Sequence, residues 1–169
     1  MKLNIQLTPE DYVRANFLNL RPRPAFKLAG YAFLVFAIFI LGISFYQAVA
    51  RREDFLVVPL IVAGGLVYLA FFFGFRWPQR LKKIFRQQKS LHSPYSIEVG
   101  DEMIFTKSEN GESKLPWDFF IKWKENSGLI TLYQSDIMLH IFPKRSFASP
   151  EEVAQFREML IKKIGPARS

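Results

Sequence analysis

The sequence predicts an α+β membrane protein, a two-helix transmembrane hairpin joined to a small bent sheet or barrel that a C-terminal helix caps. Three observations predict it. First, Leu28–Ala50 (23 residues) and Phe55–Phe75 (21 residues) hold no Asp, Glu, Lys or Arg and are parted only by Arg51, Arg52, Glu53 and Asp54. Each run reaches the roughly 20 apolar residues that a helix needs to cross a hydrocarbon core. Second, apolar and polar residues alternate from Tyr95 to Phe142 between turn-forming residues, the mark of short strands. Third, Val153, Phe156, Leu160 and Ile164 recur at helical spacing behind a Ser149-Pro150 start.

Met1–Leu7 alternates, with Leu3, Ile5 and Leu7 on one side, and predicts a strand. Thr8 as N-cap, Pro9 at the first helical position and Glu10 and Asp11 in the first turn predict a helix. Tyr12, Phe17, Leu18 and Leu20 are its expected apolar side, and Pro22 and Pro24 its expected end. Residues 1–27 are expected to pack with the C-terminal domain, the strand covering an open sheet edge.

The hairpin occupies 28–75, with spans at 28–50 and 55–75. Ala48-Val49-Ala50 looks like a signal cleavage site, but the apolar run exceeds the 7–15 residues or so of a signal core and follows a patterned leader. The expectation is two retained spans. Gly30, Ala37 and Ser44 recur every seven residues, as do Ala63 and Ala70 near Gly64, Gly65 and Gly74. They form a candidate packing stripe, or reflect the ordinary frequency of small residues in lipid. Pro59 belongs to the first turn of the second helix, and Tyr46 and Trp77 are interfacial aromatics.

The net charge of +8 is unevenly placed: +3 over residues 1–27, zero in the 51–54 knot, +6 over 76–92 and −1 over 93–169. A nucleic-acid surface would put the excess on the soluble domain, so nucleic acid is excluded as the expected partner. Cations flanking two spans instead set orientation. They put both termini in the cytoplasm and the knot outside. Residues 76–92 read as a basic juxtamembrane helix with Leu81, Ile84 and Phe85 on one side. Arg76, Arg80, Lys82, Lys83, Arg86 and Lys89 are candidate headgroup contacts, either enforcing topology or binding an anionic lipid or polymer specifically.

Residues 93–169 form the expected cytoplasmic domain. Strands are predicted at 95–99, 103–107, 113–117, 119–125, 129–133 and 137–142. Asn110-Gly111 is read as a two-residue hairpin turn, and Asn126-Ser127-Gly128 and Gln134-Ser135-Asp136 close further turns. Phe119, Ile121 and Trp123 are placed on one face of a single strand. Gly165-Pro166 stops the last helix.

Leu7-Thr8-Pro9-Glu10-Asp11-Tyr12, Leu115-Pro116-Trp117-Asp118 and Phe142-Pro143-Lys144-Arg145-Ser146-Phe147 carry a family likeness, in this order and spacing around two adjacent spans. The chain resembles the YcxB-like bacterial membrane proteins over nearly its full length. The resemblance implies a bacterial inner-membrane protein of unknown activity with a C-terminal domain similar to pleckstrin-homology folds. It supplies no catalytic residues.

Candidate interaction residues are Lys144, Arg145, Trp117 and Asp118. Lys144-Arg145, between a strand and a helix, could hold a phosphate or carboxylate, or be a solvated pair bridging to Asp136 or Glu151. Trp117-Asp118 is either a recognition loop or a barrel-closing Trp beside an Asp that bonds local amides. Phe147 is a core anchor. His140 is out of phase with Ile137, Leu139 and Ile141, so it is expected to face solvent or a groove.

With no Cys, only His92 and His140, and no phosphate loop or nucleophile motif, neither catalytic residues nor metal ligands nor a cofactor are assigned. Glu98, Asp101, Glu102, Glu109 and Glu112 cluster around turns, where solvated acids are ordinary. The expectation is a non-enzymatic protein tethered to the bilayer and binding another membrane protein or anionic headgroups. The alternative is a subunit or assembly factor of a transport or envelope complex that uses the spans as its interaction surface.

Overall fold

The computed structural model describes residues 1–20, 24–51, 57–109 and 111–168. They fall into two units, Met1–Arg21 with Arg80–Ser169, and Pro22–Gln79.

The first unit is built on antiparallel strands in two sheets. One has the order β1 (Lys2–Ile5), β2 (Tyr95–Val99), β3 (Met103–Ser108), β4 (Gly111–Pro116). The other runs β5 (Lys122–Glu125), β6 (Leu129–Tyr133), β7 (Leu139–Pro143). The strands form two separate hydrogen-bonded sets and do not close into one barrel. β1 lies along β2 with Leu3 opposite Ile97 and Ile5 opposite Tyr95. Leu3 and Ile5 are fully buried, so four residues far from the sheet in sequence complete one of its edges.

Helix α1 (Pro9–Asn19) starts where the sequence says: Thr8 Oγ1 accepts the Asp11 N–H at 3.2 Å, and Asp11 Oδ2 accepts the Thr8 N–H at 2.8 Å. Its buried residues are Asp11, Ala15 and Leu18; of the expected apolar side, Leu18 is buried, Tyr12 and Phe17 are half-buried, and Leu20 is exposed. α1 packs on the β5–β7 sheet, where Lys124 Nζ donates to Leu18 O at 3.4 Å. Strand alternation puts Trp123 and Phe142 on the opposite side of that sheet from Lys124 and Thr131. There Phe142 meets Phe156 of α5 (Pro150–Lys163), ring centroids 5.1 Å apart. Covered on both faces, β6 is buried at every position and has lost its alternation.

Several local expectations are corrected. Trp117–Phe119 is a 3₁₀ turn, and strand pairing begins only at Lys122. The turn resets the phase, so Phe120 and Trp123 are buried while Phe119 and Ile121 are exposed. Gly111 pairs with Ser108, so it is a strand residue with φ +146° rather than a central turn residue; Asn110 lies outside the described residues. At the start of α5 Ser149 Oγ accepts the Glu152 N–H at 3.3 Å, while the Glu152 carboxylate accepts the Ala148 N–H at 2.7 Å instead of that of the Ser149 cap. Gly165 (φ +109°) ends α5 in a backbone region where a side chain would clash, its N–H donating to Leu160 O.

The second unit holds α2 (Pro24–Arg51) and α3 (Val57–Phe71), followed by a π turn at Phe72–Arg76. Pro24 therefore opens α2 and does not end α1, as suits a residue with no N–H to lose. Arg21, Pro22, Arg23, Arg52, Glu53, Asp54 and Phe55, which figured in the charge and boundary readings, lie outside the described residues. Two helical stretches are long and apolar enough to cross a membrane, Gly30–Gln47 with mean hydropathy 1.8 and Leu60–Gln87 with 1.7. Of the small-residue stripe, Ala37 and Ser44 are buried, but Gly30, Ala63 and Ala70 are exposed. Val62 and Leu66 are the half-buried residues of α3. The hairpin is therefore packed by small residues on α2 against larger ones on α3, and nothing lies within 4 Å of a Cβ placed on Gly30, Gly64, Gly65 or Gly74.

Candidate functional site

Lys144 and Arg145 sit in a 3₁₀ turn, Lys144–Ser146, between β7 and α5. Both are engaged by carboxylates from distant segments, Arg145 by the buried Asp11 and Lys144 by the half-buried Glu125, rather than by Asp136 or Glu151. Arg145 forks onto Asp11, Nη1 to Oδ1 at 2.7 Å and Nη2 to Oδ2 at 2.5 Å, and its Nη2 also donates to Gln6 O at 3.0 Å. Burial pushes the Asp11 carboxyl up, but the Arg145 hydrogen bonds and those from Thr8 outweigh it, so its pKa lies below the ordinary value. Lys144 Nζ lies 2.6 Å from Glu125 Oε1. Arg157 of α5 forks onto the same carboxylate at 2.9 and 2.7 Å. Arg157, and then Lys144, hold Glu125 down from 4.5 to about 2 against the opposing effect of burial. This geometry makes the two cations cross-links between β1–α1, β5 and α5. Asp136 instead pairs with Lys122.

Trp117 is 6% exposed and its Nε1 donates to Gly100 O at 3.2 Å, while the neighbouring Asp118 faces outward. The pair is split between core and surface by the 3₁₀ turn.

Helix α4 (Trp77–Gln87) buries Leu81 and Phe85 and leaves Ile84 half-buried. At about 100° per residue, Arg80, Lys82, Lys83 and Arg86 share the opposite arc. Lys82, nearest the apolar side, pairs with Glu10 at 2.7 Å. Arg80, Lys83 and Arg86 are exposed, as is Lys89 in the following 3₁₀ turn, Lys89–Leu91. Arg76 is exposed in the π turn, and Trp77 packs on Phe72 at 6.0 Å.

An open groove of about 550 Å³ runs between α1, the residues after α4, β2–β3 and β7. Leu7, Tyr12, Leu91, Tyr95 and Leu139 form its apolar wall, and its lining includes no Asp, Glu, Lys or Arg. Burial first, and then the Asp11 charge, push the Tyr95 phenol up to about 12, so it is a neutral hydroxyl at any physiological pH. The groove therefore suits an uncharged occupant. His140 borders it with its ring edge-on to Phe120 at 5.6 Å and its Nε2 buried without a partner among the described residues. Desolvation lowers its pKa and keeps it neutral. Of the two expectations for this histidine, solvent or a groove, the structure shows the groove, with the ring half-buried. His92 is likewise occupied, its Nε2 2.9 Å from Phe85 O.

The sequence reading missed the groove because its walls come from five separate segments. It also missed Ile137 and Met138, taken as the start of a strand. They sit in the turn before β7, which opens only at Leu139.

Neither a curated protein nor a solved structure matches the chain. The model of the YcxB-like protein family matches residues 99–160, from the end of β2 to Leu160 in α5. Both cations of the Lys144–Arg145 turn and the Trp117–Phe119 turn lie inside that stretch. Over residues 99–160 this chain is similar to the YcxB-like protein family.

Proposed function

We propose that this is an integral membrane protein of a bacterial inner membrane, in which α2 and α3 hold a pleckstrin-homology-like module at the cytoplasmic face to bind a protein partner or lipid headgroups. The observation that carries the reading is apolar exposure. Phe33, Phe36, Phe39 and Tyr46 are 67, 60, 62 and 72% exposed on α2, and Leu60, Ile61 and Val67 are 68, 68 and 69% exposed on α3. A patch of that size is unfavourable in water and ordinary in lipid.

Topology agrees. β1 precedes the two apolar helices and pairs with β2, which follows them, so both must lie on one side of a membrane. That requires an even number of crossings, and two fits. The flanking cations favour the cytoplasm as that side. Four strands and three strands with a C-terminal helix support the pleckstrin-homology-like reading. A tethered module meets membrane-bound partners at high effective concentration, so modest contacts suffice. The internally paired Lys144 and Arg145 leave α4 and the uncharged groove as the surfaces for such contacts.

The test is extraction of membranes with alkaline carbonate together with a reporter fused after Ser169. The expected result is a protein retained in the pellet with a cytoplasmic reporter. Release into the supernatant overturns the spanning reading, and a periplasmic reporter overturns the orientation.

A further inference from the structure

We propose that the turn between β6 and β7 is a second lipid contact, with Ile137 and Met138, flanked by Leu20 and Ile121, seated in the interfacial layer of the bilayer that α2 and α3 cross. This rests on the spanning reading above, and Ile137 and Met138 also line the uncharged groove.

The four side chains are 91, 56, 52 and 51% exposed. One such residue on a surface would be ordinary. Here they converge from three separate segments. Asn19 Nδ2, at the end of α1, donates to Asp136 O at 2.9 Å, which sets Leu20 beside the turn. The Ile121 N–H donates to Tyr133 O at 2.9 Å, which sets Ile121 at the turn's root.

The turn is braced. Ser135 Oγ accepts from the N–H groups of Ile137 at 3.4 Å and Met138 at 3.0 Å, and the Gln134 N–H donates to Met138 O at 3.0 Å. The Asp136 carboxylate is paired with Lys122, so the turn brings no uncompensated acid to an anionic surface.

Chain length identifies the occupant. Four residues separate Asn19 from Pro24, the first residue of the apolar helix α2. Such a link spans at most about 18 Å when extended. A cluster of exposed aliphatic side chains tied that closely to the helix whose charge-free run begins at Leu28 is placed to enter the layer about 5–10 Å deep in which apolar faces settle at a membrane surface.

The chain has no Cys, so one introduced thiol carries one label. The full chain is reconstituted in phosphatidylethanolamine–phosphatidylglycerol vesicles with an environment-sensitive fluorophore on Ile137→Cys, on Phe39→Cys in α2, or on Ser113→Cys in β4. All three positions are exposed, so labelling leaves the packing intact. The expected result is blue-shifted emission at 137 and 39, lost when spin-labelled lipid is included, with emission at 113 lost only to aqueous iodide. Quenching by lipid at 39 but not at 137 overturns the proposal and spares the spans. No lipid quenching at 39 overturns both. A label at 137 shielded from lipid and iodide alike marks a protein contact, such as a second copy, and overturns the lipid assignment.

Discussion

Arg145 holds both carboxylate oxygens of Asp11, joining the turn after β7 to the first turn of α1 across 134 positions of sequence. Asp11 is 3% exposed, so removing its partner leaves a charge in the protein interior. Breaking a buried pair costs about 3–5 kcal/mol, and the half-exposed guanidinium reduces this to about 2–3 kcal/mol for Arg145→Ala. Urea unfolding of the detergent-solubilised chain, followed by Trp117 and Trp123 fluorescence, is expected to show that loss. Asp11→Asn with Arg145→Met is expected to recover part of it, because no unpaired charge then remains.

Acid should weaken the first unit through Glu125. Its folded-state pKa of about 2 lies below the ordinary 4.5, so its contribution is complete above 4.5 and drains away as pH falls toward 2. The shift corresponds to at most about 3 kcal/mol. Asp11, also lowered, adds in the same direction. Glu125→Gln is expected to flatten the acid limb of a stability–pH curve while lowering its neutral plateau. An unchanged acid limb would assign the acid sensitivity to other carboxylates.

β1 should contribute more than its four residues suggest. Ile5 is fully buried opposite Tyr95 and Leu3 is 1% exposed opposite Ile97. Ile5→Ala is expected to cost about 2–5 kcal/mol. Deleting residues 2–7 should in addition bare the β2 edge and raise aggregation, read by light scattering during solubilisation.

On the hairpin, Ala37→Phe is expected to destabilise the α2–α3 pair by about 1–3 kcal/mol, since Ala37 is 7% exposed. Gly30→Ala should be silent, because its Cβ meets nothing within 4 Å. Thermal melting in detergent separates the two. Equal effects would mean that the packing seam lies elsewhere.

Neutralising Arg80, Lys83 and Arg86 to Gln should leave zwitterionic nanodiscs indifferent and lower the stabilisation by anionic ones. Each cation near an anionic surface contributes about 1 kcal/mol. The checking measurement is the difference in melting temperature between the two lipid compositions.

Local chemistry made much of this fold legible. The Thr8 and Ser149 caps, the Tyr95–Val99 and Leu129–Tyr133 strands and the Gly165 stop all depend on neighbours within a few residues. Periodicity failed where a short turn slipped the phase, as at Trp117–Phe119, which reversed the faces assigned to Phe119 and Phe120. At β6 the strand itself was legible, but its faces were not, because burial at every position erases the contrast on which alternation depends. The candidate site was less legible. Lys144 and Arg145 look like free cations in sequence, and the carboxylates that engage them, Glu125 and Asp11, come from distant segments. The groove has no motif because its walls come from stretches as far apart as Leu7, Leu91 and Leu139.

The interleaving of the two units dictates an order of events during biosynthesis. Lys2–Ile5 leaves the ribosome long before its partner Tyr95–Val99 exists, and the apolar helices α2 and α3, of 28 and 15 residues, are made between them. Domains generally fold as units once their sequence has emerged. In the spanning arrangement proposed above, the amino-terminal segment waits, unpaired, until the hairpin has been delivered to the bilayer. Closure of the sheet would then report that the chain had returned to the side from which it set out.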